Sequence, residues 1–351
     1  MSRSSQFWRA DKDTRHSTDS GGWLNSNRTG HAPAHSETPV RSSEQEHPVL
    51  AKASRLKLFG KSPVGFFLRL NRWAWQRLPS RVRDFYPVRA YGAWLHNLVC
   101  VHETRQQSLG TFFFRNRSAL ELIRRRAEDM GRGSTLRIAV LACSLGAEVY
   151  SILWIIRSAR PDLKVHVWAV DVSREMLSFA EKGTYAPDTS ELVGSSIFER
   201  LTPKEMGEMF DWDGDRARVK PWLREGIEWR LGDASDPELI RALGPQDMVT
   251  ANNFLCHMEP PAAAHCLRNI TSLVDRGGYL FVSGVDLEVR ETVARERGWR
   301  PVPELIEQIH EGDPSVRKGW PLAWWGLEPI NHRRRDWQIR YAAAYRLNDG
   351  D

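Results

Sequence analysis

Short apolar runs alternate with amphipathic segments along the chain from about residue 136 onward. The runs are rich in β-branched residues, as expected for buried strands, whereas the segments between them repeat their apolar positions at helical spacing. The predicted strands are residues 137–142, 165–170, 227–231, 248–251 and 279–283. The predicted helices are residues 147–157, 175–182, 237–243 and 261–273. Strands that alternate with helices predict an α/β fold, with a mostly parallel sheet covered on both faces.

The N-terminal part of the chain does not follow this alternation. Residues 1–50 are polar and have too little apolar surface to offset the entropy cost of ordering, so we predict a disordered tail. Residues 51–110 are predicted to form a helical region. Apolar positions recur there at three- and four-residue steps, and a second helical stretch covers residues 88–101. The members of the first apolar repeat are Phe67, Leu70, Ala74 and Leu78.

The remaining residues, 111–351, are predicted to form one domain around the sheet. Residues 186–226 are less regular and are interpreted as an insertion in that domain. Two late aromatic stretches, residues 321–328 and 337–345, are predicted to add antiparallel strands at one edge. Ligands of open α/β sheets bind beyond the carboxyl ends of the strands, so we expect the chemistry there.

Basic charge is concentrated in one part of the chain. The 351 residues carry a net charge of +6, and residues 51–110 contain eleven basic and two acidic side chains. Arginines interleave with aromatic residues within residues 55–91. Three interpretations stay open: a helix packed on the rest of the chain with its arginines in water, docking to an acidic partner, or contact with an anionic membrane surface. No nucleic-acid-binding motif accompanies these residues.

Cysteine content and apolar run length exclude several classes of protein. The four cysteines lack CxxC spacing, which argues against structural zinc and a disulfide framework. No apolar run approaches the ~18–20 residues that span a bilayer, and no secretion signal is evident, so a cytoplasmic location is expected. The acidic turn at residues 211–215 invites a calcium interpretation. Gly214 stands at position four rather than six of such a loop, so no metal site is predicted.

Polar residues follow the predicted strands where a ligand is expected. A turn of small residues after the first strand leads to Glu148, which either faces a bound cation or complements the helix dipole. Asp171 ends the second strand and either accepts from a ribose diol or caps the next helix. Asp233 follows the third strand, as an adenine contact or a helix cap. Asn252 and Asn253 follow the fourth, where they contact a ligand or form a turn. The first turn lacks GxGxxG, which weakens a dinucleotide interpretation.

Four segments, taken together, resemble the chemoreceptor-glutamate methyltransferase (CheR-type) family. They are TFFFR at residues 111–115, CSLGAEVYS at 143–151, DVSREML at 171–177 running on to GTY at 183–185, and DMVTANN at 247–253. Their order and spacing match over about residues 84–285. The resemblance implies a class I methyltransferase (Rossmann-like) fold preceded by a small helical domain. It also implies transfer of a methyl group from S-adenosyl-L-methionine to a protein glutamate, with an acidic chemoreceptor-like protein as partner.

The resemblance implies roles for individual residues. Thr111 and Arg115 would reach over the cofactor from the segment before the sheet, and Arg115 would also orient an acidic acceptor. Glu148 would lie near the methionine end of the cofactor. Asp171 would hold the ribose hydroxyls.

The remaining implied contacts follow the third and fourth strands. Asp233 and Ala234 would flank the adenine. Asn252 and Asn253 would contact the cofactor near its sulfonium.

The chain departs from the family pattern at several of these segments. The departures are Ala142 for a glycine, Leu145 for a small hydroxyl residue, Val149 for a proline, Asn252 for an arginine, His257 for a tyrosine and Leu109 for an asparagine. We expect cofactor binding to survive these changes, and they weaken the inference about the substrate.

The acceptor chemistry therefore stays open. A carboxylate acceptor is already ionised at pH 7 and would pair with Arg115, unless Arg115 forms a structural salt bridge to Glu121 or Glu148. His257 would act as a general base for a hydroxyl, amine or ring-nitrogen acceptor, or it has no role. A third hypothesis is a catalytically silent module that binds the cofactor and signals through the basic segment.

Overall fold

The computed structural model describes residues 63–83, 85–102, 111–186, 196–313, 320–322 and 328–347. The predicted disordered tail lies outside these residues and stays a prediction. Within them, every helix is too short or too polar to traverse a lipid bilayer.

Seven strands of the described chain form the central sheet, and three more form a small second sheet. The strands are β1 (Thr135–Leu141), β2 (Lys164–Asp171), β3 (Thr184–Tyr185), β4 (Phe210–Asp213), β5 (Arg216–Val219), β6 (Ile227–Leu231), β7 (Gln246–Asn252), β8 (Val274–Ser283), β9 (Arg300–Pro301) and β10 (Ala344–Arg346). The order in the central sheet is β6-β2-β1-β7-β8-β10-β9. Its first five strands are parallel, and β10 is antiparallel to both β8 and β9. The predicted mostly parallel sheet is confirmed.

Helices cover both faces of this sheet. The helices of the described chain, of which α1 and α3 share a separate apolar core, are α1 (Pro63–Arg77), α2 (Ser80–Arg83), α3 (Tyr86–His102), α4 (Arg117–Glu128), α5 (Ala147–Ala159), α6 (Arg174–Lys182), α7 (Pro203–Met209), α8 (Pro221–Arg224), α9 (Pro237–Leu243), α10 (Pro260–Thr271), α11 (Leu287–Glu296), α12 (Ile306–His310) and α13 (Trp337–Tyr341). Successive residues of β1 point to opposite faces. Ile138 therefore joins the apolar core that contains Ile152 of α5, and Ala139 joins the core that contains Leu267 of α10.

The strand order reverses between β1 and β7. From β1 the chain proceeds outward through β2 to β6, and it then returns to β7 on the other side of β1. The loops after β1 and β7 therefore lead away from each other, which leaves a crevice at the carboxyl ends of the strands. This is the edge at which the sequence predicted a ligand.

The predicted late strands are partly wrong. Residues 337–345 begin as helix α13, in which Arg340 is buried and its guanidinium pairs with Glu291 and Glu328. Strand β10 follows and is antiparallel as predicted, but it lies between β8 and β9 rather than at the edge. Of residues 321–328, positions 323–327 lie outside the described residues and the others form no strand. Local pattern could not reveal the distant carboxylates that stabilise α13.

The region interpreted as an insertion contributes most of the small antiparallel sheet, which has the order β3-β5-β4. The acidic turn at residues 211–215 is the hairpin between β4 and β5. Residues 187–195 lie outside the described residues. An aromatic cluster holds this small sheet to the segment before α4, because the Phe113 ring packs edge-on against Tyr185 and Phe210 and stacks on Phe198. The small sheet is thereby fixed beside the crevice.

The N-terminal helices bury only part of the predicted apolar repeat. Leu68 and Trp75 are buried together with Leu95 of α3, and Phe67 and Leu78 of the repeat pack against them, whereas Leu70 is 53% exposed. Helix α1 has apolar residues on most of its sides, so spacing could not select the buried face. Ala74 is exposed as well.

Arginines of these helices bind backbone carbonyl groups near the C-terminus of the chain. Arg72 donates to the carbonyl of Leu322, and Arg89 donates to those of Pro329 and Ile330. Leu322 also belongs to the small apolar core of α1 and α3. These contacts agree with a helix packed on the rest of the chain, but Arg72 and Arg89 bond to backbone carbonyls of the protein, contrary to the expectation that the arginines lie in water.

The turn between β1 and α5 has an unusual backbone. Ala142 and Ser144 adopt positive φ angles of 54° and 49°, and Gly146 adopts 81°. Side chains other than glycine cost roughly 1–2 kcal/mol in this left-handed region. Ala142 and Ser144 thus adopt a backbone conformation that favours glycine, although neither of them is a glycine.

We expect Ala142→Gly to stabilise the protein by about 0.5–1 kcal/mol. Glycine relieves the steric cost at positive φ, and the larger entropy of its unfolded chain offsets part of that gain. Urea unfolding followed by circular dichroism measures the change.

Gly146→Ala is the matched control, and it should lower the free energy of unfolding. An added Cβ at Gly146 would lie 2.9 Å from the Cβ of Ala180, in addition to the strain at φ 81°. A loss of stability in Ala142→Gly would contradict the interpretation of this turn.

Candidate functional site

A cavity of about 450 Å³ lies at the carboxyl ends of the central strands. Residues from the loops after β1, β2, β6, β7 and β8 line it. All the site residues predicted from the sequence contribute to this lining, namely Thr111, Arg115, Glu148, Asp171, Asp233, Ala234, Asn252, Asn253 and His257. The structure therefore brings together side chains that lie up to 146 positions apart in the chain.

The carboxylate of Asp171 connects two turns of the cavity wall. One oxygen accepts from the backbone N–H of Ser144 at 2.8 Å, and the other accepts from the N–H of Ser173 at 2.9 Å. The N-cap of α6 is Ser173, whose hydroxyl accepts from Met176 N–H, so the alternative that Asp171 caps this helix is wrong. Each carboxylate oxygen has a further lone pair, which leaves Asp171 able to accept from a ligand in the cavity.

Asp233 and Ala234 follow β6 on the same side of the cavity. Asp233 accepts from both the N–H and the hydroxyl of Ser235, at 2.8 and 2.7 Å, in a local turn. Ala234 is buried, and its carbonyl accepts from the side chain of Asn269. The cap of α9 is Asp236 rather than Asp233, so the helix-cap alternative is wrong here too.

Glu148 belongs to a polar chain that crosses from α5 to β8. Its carboxylate accepts from the amide of Asn252 at 2.8 Å, and the Asn252 amide oxygen accepts from the hydroxyl of Ser283 at 2.8 Å. Burial raises the pKa of Glu148 above its ordinary value, although the hydrogen bond from Asn252 and the charge of Arg115 act in the opposite direction. Because the positive charge around the ionised Glu148 side chain does not offset the cost of its burial, a cation bound in the cavity would stabilise the ionised form.

Three consecutive phenylalanines hold the segment that carries Thr111 and Arg115. Phe112 lines the cavity and Phe113 enters the aromatic cluster of the small sheet. Phe114 packs against Trp154 of α5, and its N–H donates to the hydroxyl of Ser151. Thr111 and Arg115 flank these anchors, so both are fixed at the cavity wall.

Arg115 forms an ion pair that was not predicted. Its Nε donates to a carboxylate oxygen of Asp313 at 2.7 Å, and Arg200 donates to the other oxygen at 3.0 Å. The predicted alternative partners were Glu121 and Glu148. Glu121 instead pairs with arginines of its own helix. Arg115 thus pairs with Asp313, and its charge also acts on Glu148.

Asn253 and His257 lie on the loop after β7. Asn253 adopts a φ of 62°, and its N–H donates to the carbonyl of Ser283. Gly284 makes room for this loop, because a Cβ there would lie 2.6 Å from the Cα of Asn253. His257 ends a single 3₁₀ turn and is half-buried at the cavity.

Several cavity residues were not found from the sequence. Ser144 follows the first predicted strand and Ser283 is the last residue of the strand predicted at 279–283, so their positions alone were a usable signal. Arg290 and Asp313 come from helical and loop segments late in the chain, and no local pattern marks them. No group of three or more potential metal ligands occurs among the described residues.

The strand order and the cavity together define the class of protein. A mostly parallel sheet whose β10 runs antiparallel between β8 and β9 is a Rossmann-like class I methyltransferase fold. The family model of the CheR methyltransferase SAM-binding domain matches residues 110–295, just over half of the chain. The chain therefore belongs to the CheR methyltransferase family, and S-adenosyl-L-methionine is the cofactor of the matched domain.

Curated relatives match parts of this chain. Chemotaxis protein methyltransferase 1 of Pseudomonas aeruginosa is 31% identical over 183 residues, which cover 49% of this chain and 64% of the relative. The probable biofilm formation methyltransferase WspC of the same organism is 25% identical over 215 residues, covering 60% and 48%. An uncharacterized 104.1 kDa protein of Rhodobacter capsulatus is 29% identical over 181 residues, covering 48% and 18%. The chain spans less than two thirds of the length of each.

The cavity fits this cofactor chemically. S-adenosyl-L-methionine carries two positive charges, on its sulfonium and its ammonium group, and carboxylates attract both. Its ribose also has two hydroxyl groups that can donate hydrogen bonds to carboxylates. Glu148, Asp171 and Asp233 supply three carboxylates to the lining of the cavity. The cavity volume also lies in the range of roughly 300–1,000 Å³ that is typical of small-molecule sites.

The raised pKa of Glu148 predicts a pH dependence of stability. Above the ordinary glutamate pKa, the folded protein binds more protons at Glu148 than the unfolded chain does, so ionisation of this side chain lowers the free energy of unfolding as pH rises. Glu148→Gln removes this contribution. We expect the variant to gain stability relative to the parent protein as pH rises from 4 to 7, measured by urea unfolding without cofactor.

Glu121→Gln provides a control of opposite sign. A hydrogen bond from Arg124 is the main cause that lowers the pKa of Glu121 to about 2, so its ionised form stabilises the fold. This stabilisation is present above the pKa that Glu121 has in the unfolded chain, and it is lost as pH falls toward 2. If both variants change with pH in the same direction, the assignment for Glu148 is incorrect.

Proposed function

We propose that this protein is an S-adenosyl-L-methionine-dependent methyltransferase that methylates a carboxylate of an acidic protein, as a protein-glutamate O-methyltransferase does. The observation that carries the proposal is the composition of the cavity. Three carboxylates suited to a cationic cofactor share it with Arg115, a guanidinium suited to an anionic acceptor. When bound, the cofactor supplies an electrophilic methyl group.

In this proposal the carboxylates and amides of the strand ends hold the cofactor. Asp171 accepts from the ribose hydroxyls, and Glu148 lies near the methionine end together with Asn252 and Asn253. Asp233 and Ala234 flank the adenine. Thr111 covers the cofactor from the segment before α4. The fixed hydrogen bonds of Asp171 and Glu148 support these roles, because preorganised acceptors lose little entropy on binding.

The acceptor needs alignment and a counter-charge more than it needs a base. A glutamate carboxylate is ionised at pH 7 and is already nucleophilic. Its desolvation on entering the cavity is costly unless a cation pairs with it, and a guanidinium does so through parallel hydrogen bonds. Arg115 has this chemistry. Alignment of the two reactants can then contribute about 7–11 kcal/mol toward the barrier.

The acceptor class is supported by the family and by charge. Some of the matched relatives are chemotaxis protein methyltransferases, so an acidic chemoreceptor-like protein is the acceptor that we propose. The arginines and exposed aromatic side chains of α1 and α3, among them Arg69, Trp73 and Trp94, provide a surface that such a partner can contact.

Asp171→Ala should weaken cofactor binding by roughly 1.5–3 kcal/mol, the size of lost hydrogen bonds to a charged acceptor. Isothermal titration calorimetry with S-adenosyl-L-methionine measures the affinity. Asp162→Ala is the matched control, since that carboxylate also accepts from a backbone N–H, that of Gly133, but does not line the cavity. Equal affinities for the Asp171 variant and the parent protein would remove Asp171 from the cofactor site.

The product identifies the acceptor chemistry. We expect methyl label from the cofactor to enter an acidic protein in an extract and to leave as methanol in mild base, because a carboxyl methyl ester is labile there.

Arg115→Gln should lower kcat/KM at least tenfold by removing the counter-charge, whereas Arg268→Gln, on a surface pair with Glu296, should not.

The same labelling experiment also tests whether His257 acts as a general base. A base-stable product whose formation requires His257 would indicate a hydroxyl or nitrogen acceptor with His257 as general base. Cofactor binding with no labelled product from any acceptor would instead favour the catalytically silent module.

A further inference from the structure

Two guanidinium groups hold one carboxylate at the wall of the cavity. Arg115 donates through Nε to one oxygen of Asp313, and Arg200 donates through Nη2 to the other oxygen. Arg200 also donates to the backbone carbonyl of Arg115, which ties the two arginines together. Asp313 and Arg115 both line the cavity. This arrangement is a carboxylate-binding site with a carboxylate of the protein in it.

The three side chains are shielded from solvent. The exposed fractions are 21% for Arg115, 14% for Arg200 and 12% for Asp313. The ring of Phe112 lies beneath both guanidinium groups, at 4.6 Å from Arg200 and 6.0 Å from Arg115. Shielding strengthens such pairs, and it makes an unpaired charge costly. A carboxylate can therefore leave this site readily only when another replaces it.

Asp313 is attached in a way that permits such a replacement. It follows α12 by three residues and lies outside any helix or strand. Arg200 lies before α7, and Arg115 is held by the Phe112–Phe114 anchors. Arg200 also lies in a turn, but its guanidinium is tied to the backbone of Arg115, so the two cations are held together next to Asp313.

We infer that Arg115 and Arg200 together form the binding site for the acceptor carboxylate, and that Asp313 occupies this site until the acceptor replaces it. This inference rests on the proposed function for the identity of the acceptor as a carboxylate. It adds Arg200 as an acceptor-binding residue and Asp313 as an internal competitor. Removing the charge of Asp313 should then strengthen acceptor binding, and removing that of Arg200 should weaken it.

The test measures binding of a short peptide with one glutamate, and of its glutamine counterpart, by calorimetry. Asp313→Asn keeps the size of the side chain and should lower the Kd of the glutamate peptide about tenfold, with no effect on the glutamine peptide. Arg200→Gln, added to Asp313→Asn, should reverse that gain. Arg200→Lys should restore part of it, since lysine keeps the charge and loses the planar fork.

Glu296→Gln and Arg268→Gln are the controls, because they break an ion pair outside the cavity and should leave both Kd values unchanged. Thermal melts accompany each variant, and Asp313→Glu serves as a second variant that retains a carboxylate. A purely structural pair would lower the melting temperature in Asp313→Asn and Arg200→Gln without changing the peptide Kd, which would overturn the inference.

The proposed function and this inference can fail separately. The inference fails alone if the parent protein forms a base-labile ester while the Asp313 and Arg200 variants bind both peptides equally. If the binding pattern holds but the product is base-stable, the two arginines are a carboxylate site and the reaction is different.

Discussion

The carboxylate of Asp171 is the interaction on which the cavity depends. It accepts backbone N–H groups from the turn after β1 and from the turn before α6, and so it holds two neighbouring strand ends in one arrangement. The turn after β1 places Ala142 and Ser144 at positive φ, which is costly without a compensating contact. The hydrogen bond from Ser144 to Asp171 is such a contact. A residue predicted to bind ligand thus also stabilises the wall from which it would do so.

The segment before α4 positions the guanidinium group of Arg115 although it forms neither a helix nor a strand. Phe112, Phe113 and Phe114 pack in three different directions, toward the cavity, the small sheet and α5. These contacts hold the backbone of Arg115, and the Asp313 pair holds its side chain. The guanidinium therefore faces the cavity with little freedom, which is the condition for aligning an anionic acceptor.

The departures from the family pattern have different structural consequences. Ala142 replaces a glycine, yet the backbone keeps a left-handed conformation there. Asn252 replaces an arginine and bonds to Glu148. His257 replaces a tyrosine and still lines the cavity. All three of these residues line the cavity.

The sequence by itself determined the alternation of strands and helices, the mostly parallel sheet and the set of residues at the strand ends. These follow from local periodicity, and parallel strands necessarily bring their carboxyl ends to one edge. Glu148, Asp171 and Asp233 were accessible to such reasoning because each follows a readable strand.

Only the tertiary structure decided the partner of Arg115, the buried face of α1 and the helical start of residues 337–345. Asp313 lies 198 positions from Arg115, and α13 is stabilised by carboxylates from other elements. Side chains that are distant in sequence leave no periodic signal, since nothing in the local pattern depends on their meeting. The residues at the strand ends can therefore be identified from the local sequence pattern, whereas the pairing of charges around the cavity is determined only by the folded structure.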